Sequence, residues 1–205
     1  MKTTICTAFL LATTLLSPCK SPLKAELLKP SDPVVLNAED QATLAKISAA
    51  LKEKAEIAKA RKADPSAKPD RDKQRELEGI ISSGYKLTQG TALTLRLTNT
   101  SEKAVTINYG GDTSAHTLTI TGPEALNLPF TGMMTREYRM GKATTIAPGK
   151  LLDFPLPELR YGKRDSSRWL LAAPGEYKIK LSFQTRIGKE QLNLDSNEIT
   201  LEVKE

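Results

Sequence analysis

Gly175-Glu176-Tyr177-Lys178-Ile179-Lys180-Leu181-Ser182-Phe183 alternates large apolar with charged or small polar residues along its whole length. Successive side chains of a β-strand point to opposite faces. Tyr177, Ile179, Leu181 and Phe183 therefore make one buried face, and Lys178, Lys180 and Ser182 the solvated one. Ile187-Gly188-Lys189 reads as a turn, after which Ile199, Leu201 and Val203 alternate with Glu198, Thr200 and Glu202. The pair predicts two antiparallel strands with one face in a core.

Upstream the same period recurs. Leu93, Leu95 and Leu97 alternate with Thr94, Arg96 and Thr98, and Val105, Ile107 and Tyr109 follow the turn Asn99-Thr100-Ser101-Glu102. Leu118 with Ile120, and Leu152 with Phe154 and Leu156, supply two more strands. Adding a first strand over 85–87 and a weaker one near 133–138, residues 84–205 offer seven or eight short strands with no helix between them. A parallel sheet needs crossover helices, so the expected fold is an all-β antiparallel sandwich.

Before residue 84 the period is that of a helix. Asn37 is a suitable N-cap, Glu39 and Asp40 suit the positive end of the helix dipole, and the Ala, Lys and Glu of 38–63 favour helix up to Asp64-Pro65. Leu44, Ile47 and Leu51 share one face, but beyond them the seam offers only Ala55 and Ala58. Such a helix serves either as a solvated or lightly docked spacer or as a partner-binding helix. A Pro-containing linker over 64–70 leads to a second helix over 71–81. Residues 37–83 are thus expected to be a helical spacer, and 20–36, with Pro22, Pro30 and Pro33, an extended tether.

Residues 1–19 read as an export signal. Met1 and Lys2 give a short positive end, and Ile5 to Leu16 an apolar run too short for a bilayer, which needs about 20 residues. Leu16-Ser17-Pro18-Cys19 matches a lipoprotein box except at Pro18, so two outcomes stay open: lipidation at Cys19, or ordinary cleavage between Ser17 and Ala25. Cys6 lies in the apolar run, which leaves Cys19 alone and no disulfide to close inside the mature chain. The expected location is periplasm or cell envelope, otherwise secreted, with membrane contact only through the anchor. The net charge of +6 is spread evenly, 14 basic and 11 acidic residues in 1–83 against 16 and 13 in 84–205. Nucleic-acid recognition wants a concentrated basic stripe, so that partner is not expected.

Leu95-x-Leu97-x-Asn99-x-Ser101-x-x-x-Val105, Ala147-Pro148-Gly149-Lys150 and Pro174-Gly175-Glu176-Tyr177-x-Ile179 resemble the Ig-like modules of bacterial exported proteins over about 120 residues. The resemblance implies an Ig-like sandwich and, at Tyr177, a tyrosine corner hydrogen-bonding back across the preceding turn. The Cys and Trp core of antibody domains is absent. A fainter similarity to the bacterial proteinase-inhibitor fold transfers no inhibitory residue.

His116 is the only histidine, which leaves no base to spare for a triad. With Met133, Met134 and Met140 it makes a conceivable Cu(I) ligand set. The methionines have an ordinary packing explanation as well, so neither metal nor cofactor is expected. The stretch 136–169 carries a net +4 with interleaved aromatics. Arg136, Tyr138, Arg139, Arg160, Tyr161, Lys163, Arg164, Arg168 and Trp169 are its candidate surface for an envelope protein or an anionic glycan. The expected function is a non-enzymatic binding or scaffolding module; the alternative is an inhibitor or accessory subunit of an envelope protease or hydrolase.

Overall fold

The computed structural model describes residues 21–66, 68–130, 133 and 135–205. The export signal with Cys19, and Met134, lie outside the described residues. The chain is mostly β, with two helices.

Both helices open on a side-chain cap, α1 on the expected Asn37 and α2 on Asp70 at the end of the linker. Asn37 accepts a hydrogen bond from Asp40 N at 2.7 Å and opens α1 (Ala38–Ala63), and Asp70 accepts from the amides of Asp72 and Lys73 to open α2 (Arg71–Ser83). A short 3-10 turn, Gly84–Lys86, follows α2 where a first strand was expected. The chain folds over at that point, and Tyr85 places its hydroxyl 3.1 and 3.0 Å from the Leu128 and Pro129 carbonyls.

Twelve strands are formed among the described residues, more than the seven or eight expected. β1 (Leu23–Leu28), β3 (Leu93–Asn99) and β8 (Leu151–Leu156) make one sheet in the order β1-β3-β8. β2 (Val34–Val35), β5 (Ala115–Thr121), β6 (Ala125–Leu128), β9 (Arg160–Lys163), β10 (Ser167–Leu171), β11 (Gly175–Ile187) and β12 (Glu190–Lys204) make a second, in the order β2-β12-β11-β5-β9-β10-β6. β4 (Val105–Tyr109) pairs with β7 (Lys142–Ile146). All pairings are antiparallel except β2 with β12. Pro155, which has no N–H to give a ladder, lies in β8 at a sheet edge, where proline is tolerated.

One core serves the three sheets. Tyr109 of β4 stacks on Phe154 of β8 with ring centroids 4.0 Å apart, and Phe183 of β11 lies 6.1 and 6.4 Å from the two. Leu95, Ile107, Ile179 and Leu181 are buried around them.

Two expectations about the amino-terminal third are corrected. Residues 23–28 are not a tether: Leu23, Ala25 and Leu27 are buried and β1 pairs with β3 along its whole length. Nor is α1 a solvated spacer throughout, because Leu44 and Ile47 join the common core. A Cβ on Gly84 would lie 2.7 Å from Leu128 Cδ1 and 3.1 Å from Ile47 Cδ1, which shows how closely the helical segment sits on the sheet. The strand expected near 133–138 is absent from the residues described there. Its place against β4 is taken by β7, a Thr-rich stretch with little alternation whose Thr145 bonds Thr106 across the pair at 2.8 Å.

Turn chemistry follows its residues. Lys150 N donates to Ala147 O at 3.0 Å across Pro148-Gly149, with Gly149 at φ 68°. Asn99 is fully buried and fully used. Its Nδ2 donates to the Lys103 and Ile146 carbonyls at 2.8 Å each, its Oδ1 accepts from Ser101 N and Oγ, and its backbone bonds Gly149 and Lys150. The Asn99-x-Ser101 pattern therefore ties two turns together. Tyr177, also fully buried, sets its hydroxyl 2.8 Å from Ala173 O and 3.1 Å from Glu124 O, and accepts from Ala173 N and Glu124 N. It reaches back four residues across the Pro174-Gly175 turn, as a tyrosine corner does.

A basic and aromatic surface as candidate functional site

The candidate residues of 136–169 divide into an exposed set and an internal one. β9 and β10 form a hairpin whose turn, Lys163-Arg164-Asp165-Ser166, is closed by Ser166 N donating to Lys163 O at 3.2 Å. Arg164 and Asp165 take φ of 56° and 52°, the left-handed region in which two-residue hairpin turns normally place Asn and Gly. A side chain held there against its preference needs support.

Asp112 supplies that support. The Arg164 guanidinium bonds it through two nitrogens, Nε to Oδ1 at 2.9 Å and Nη2 to Oδ2, while Nη1 donates to Thr135 Oγ1 at 3.0 Å and Nη2 also reaches Glu137 O. Asp112 further accepts from Arg139 N at 2.9 Å, and its own amide donates to Arg139 O at 2.7 Å. The Arg164 pairing and the Arg139 amide hold the Asp112 carboxyl at about 2, well below its ordinary value. The segment 135–141 is thereby latched to the β4–β5 connection. Its seat needs glycine: a Cβ on Gly111 would meet Arg139 O at 2.3 Å, and one on Gly141 would meet Thr113 Oγ1 at 2.3 Å and Gly110 O at 2.6 Å.

Although its backbone is held, the latched segment leaves its large side chains in solvent. Arg136 and Arg139 are exposed, as are Tyr138 at 65% and Met140 at 80%, with Met133 at 98% just upstream. Lys163, beside the latch, is exposed too. Arg160 is half-exposed and paired with Glu158. Tyr161 donates to Asn127 Oδ1 at 2.6 Å and packs against half-buried Trp169 with ring centroids 6.4 Å apart.

Arg164 and Arg168 are corrections to the expected surface. Arg164 is spent on the latch. Arg168 is 1% exposed, and its Nη1 donates to the Gly84 and Tyr85 carbonyls at 3.2 Å each, with Nη2 3.7 Å from Glu158 Oε1. It neutralises carbonyls at the end of α2, and burial lowers its pKa below the usual arginine value. The residues missed from sequence are Asp112 and Asn127; the paired Gly110-Gly111 was the signal of a close backbone approach.

The copper candidates do not converge among the described residues. His116 is buried with Nε2 2.6 Å from Arg160 O and Nδ1 3.7 Å from Asp165 Oδ1, whereas Met133 and Met140 point to solvent. Among the described residues no group of three or more His, Cys, Asp or Glu stands together as a metal site, and no helix is long and apolar enough to cross a membrane. The chain matches no protein-family model and no curated protein.

Proposed function

We propose that this chain is a non-enzymatic binding module of the cell envelope, an exported Ig-like sandwich that presents the 135–142 segment and the β9–β10 hairpin to an anionic partner. The observation that carries the reading is the latch: a buried-edge Arg164–Asp112 pair fixes a loop whose Arg136, Tyr138 and Arg139 are left facing water. Arginine and tyrosine are the residues most often found at binding hot spots, and a loop held in place before contact loses less freedom when it binds. Four cations without an ion-pair partner among the described residues, Arg136, Arg139, Lys142 and Lys163, give the surface its sign. The export signal read in residues 1–19, with Cys19 as the lipidation candidate, supports a location in the periplasm or envelope, or otherwise secretion.

The test is binding of the purified protein to a uronic-acid polysaccharide such as polygalacturonate at rising salt. Affinity is expected to fall with ionic strength and to be lost on charge reversal of Arg136, Arg139 and Lys163, with unfolding unchanged. Binding retained in that variant overturns the reading. Capture of a protease or hydrolase from envelope extracts, with no polysaccharide binding, favours the inhibitor or accessory-subunit alternative instead.

A further inference from the structure

Beyond Leu51 the seam between α1 and α2 opens into a cleft. Lys54, Ile57, Ala58 and Arg61 follow one another at helical spacing on the face of α1 that meets α2, and Gln74, Leu77 and Glu78 do the same on α2. Nearer the sheet, Leu44 and Ile47 join the common core, and Leu51, Ile80 and Ile81 pack against it. The cleft, of about 300 Å³, is lined by Ala58 and Gln74 and floored by Ile57 and by Leu77, which is 2% exposed. That volume is at the lower end for a small-molecule site and too small to seat a partner helix.

The rim of this cleft is net positive. Lys54, Arg61 and Lys62 line it against a single carboxylate, Glu78, which Lys54 engages at 3.4 Å. The side chains of Arg61 and Lys62 make no hydrogen bond or ion pair among the described residues. An apolar floor under two unpaired cations is complementary to a molecule with an anionic head and an aliphatic tail. Arginine's planar fork suits a carboxylate in particular.

We propose that the α1–α2 cleft is a binding site for a single-chain anionic amphiphile, a fatty-acid-type carboxylate whose head meets Arg61 and Lys62 and whose chain lies over Ile57 and Leu77. This site is separate from the 135–142 surface, and neither depends on the other.

Dodecanoate titrated calorimetrically into the purified protein, below its micellar concentration, tests the site. One-to-one binding is expected, with dodecyltrimethylammonium, the cation of equal chain length, failing to bind. The double reversal Arg61→Glu with Lys62→Glu should weaken binding at least tenfold. Ala58→Trp, which fills the cleft without altering charge, should abolish it; all three positions are exposed on α1, and circular dichroism checks that each variant keeps its helices. Absence of dodecanoate binding, equal binding of the cation, or undiminished binding by either folded variant overturns the proposal.

Discussion

Arg164 and Arg168 carry the same charge four residues apart, yet neither is free to meet a ligand. Arg168 is drawn inside because the carbonyls at the end of α2 need donors, and Arg164 because Asp112 and the 135–137 segment offer it acceptors on three sides. Sequence assigns charged residues to solvent by default. The exceptions depend on which backbone groups end up without partners after the chain has folded, and no local pattern reports that. The turn at Asn99 was legible from its residues and the Tyr177 corner from the resemblance, since part of their hydrogen bonding closes turns within four residues of chain. The latch makes a pH prediction. Because the folded carboxyl of Asp112 titrates at about 2 rather than at 3.8, the stability it contributes is complete above the ordinary value and is lost as pH falls towards 2. Thermal melts from pH 5 to pH 2 should show a fall in Tm below pH 4, part of which is missing in Asp112→Asn.

At the scale of elements, β3, β4, β5, β8, β11 and the last part of β12 were legible because large apolar residues alternate along them, and the helices because their composition favours helix; β6, β7, β9 and β10 are short or break the alternation and were not. Nor was β1. Leu23, Ala25 and Leu27 alternate correctly with Lys24 and Glu26, but the flanking prolines suggested a tether, and only the partner strand β3, some 70 residues away in sequence, decides the matter. β12 hides a comparable feature. Its inward residues switch from half-buried Leu192 with buried Leu194 and Ser196 to Ile199, Leu201 and Val203, and the register against β11 shifts at that point. A change of parity within one strand signals a β-bulge. Here the bulge turns Asn197 towards β1, where Leu27 N donates to its Oδ1 at 2.8 Å and its Nδ2 donates to Leu27 O at 3.1 Å. One side chain thus pairs the edge of one sheet with the edge of another. The helices offer a graded test of docking. Ile47→Ala empties a fully buried position and should cost about 2–5 kcal/mol, whereas Ile57→Ala, half-buried beyond the sheet, should cost under about 1 kcal/mol; urea unfolding of both variants measures the difference.

For the whole molecule, the domain boundary expected at residue 84 does not separate two independent parts. β1 covers one side of β3, β2 pairs with the end of β12, and α1 closes the core beside β6 and β10. A chain of residues 84–205 leaves the β3 edge and the buried faces of Leu95 and Leu97 without cover. It should fail to give a cooperative thermal transition, while residues 21–205 should melt as one unit. This architecture leaves the latched segment of 135–142 on the outside of a body whose other large residues are mostly committed to packing. Hydrogen–deuterium exchange of the purified protein with and without polygalacturonate measures the consequence most directly. Protection confined to 135–142 and 160–163 is the predicted result; unchanged exchange there, or protection appearing only elsewhere in the chain, contradicts the assignment of this surface.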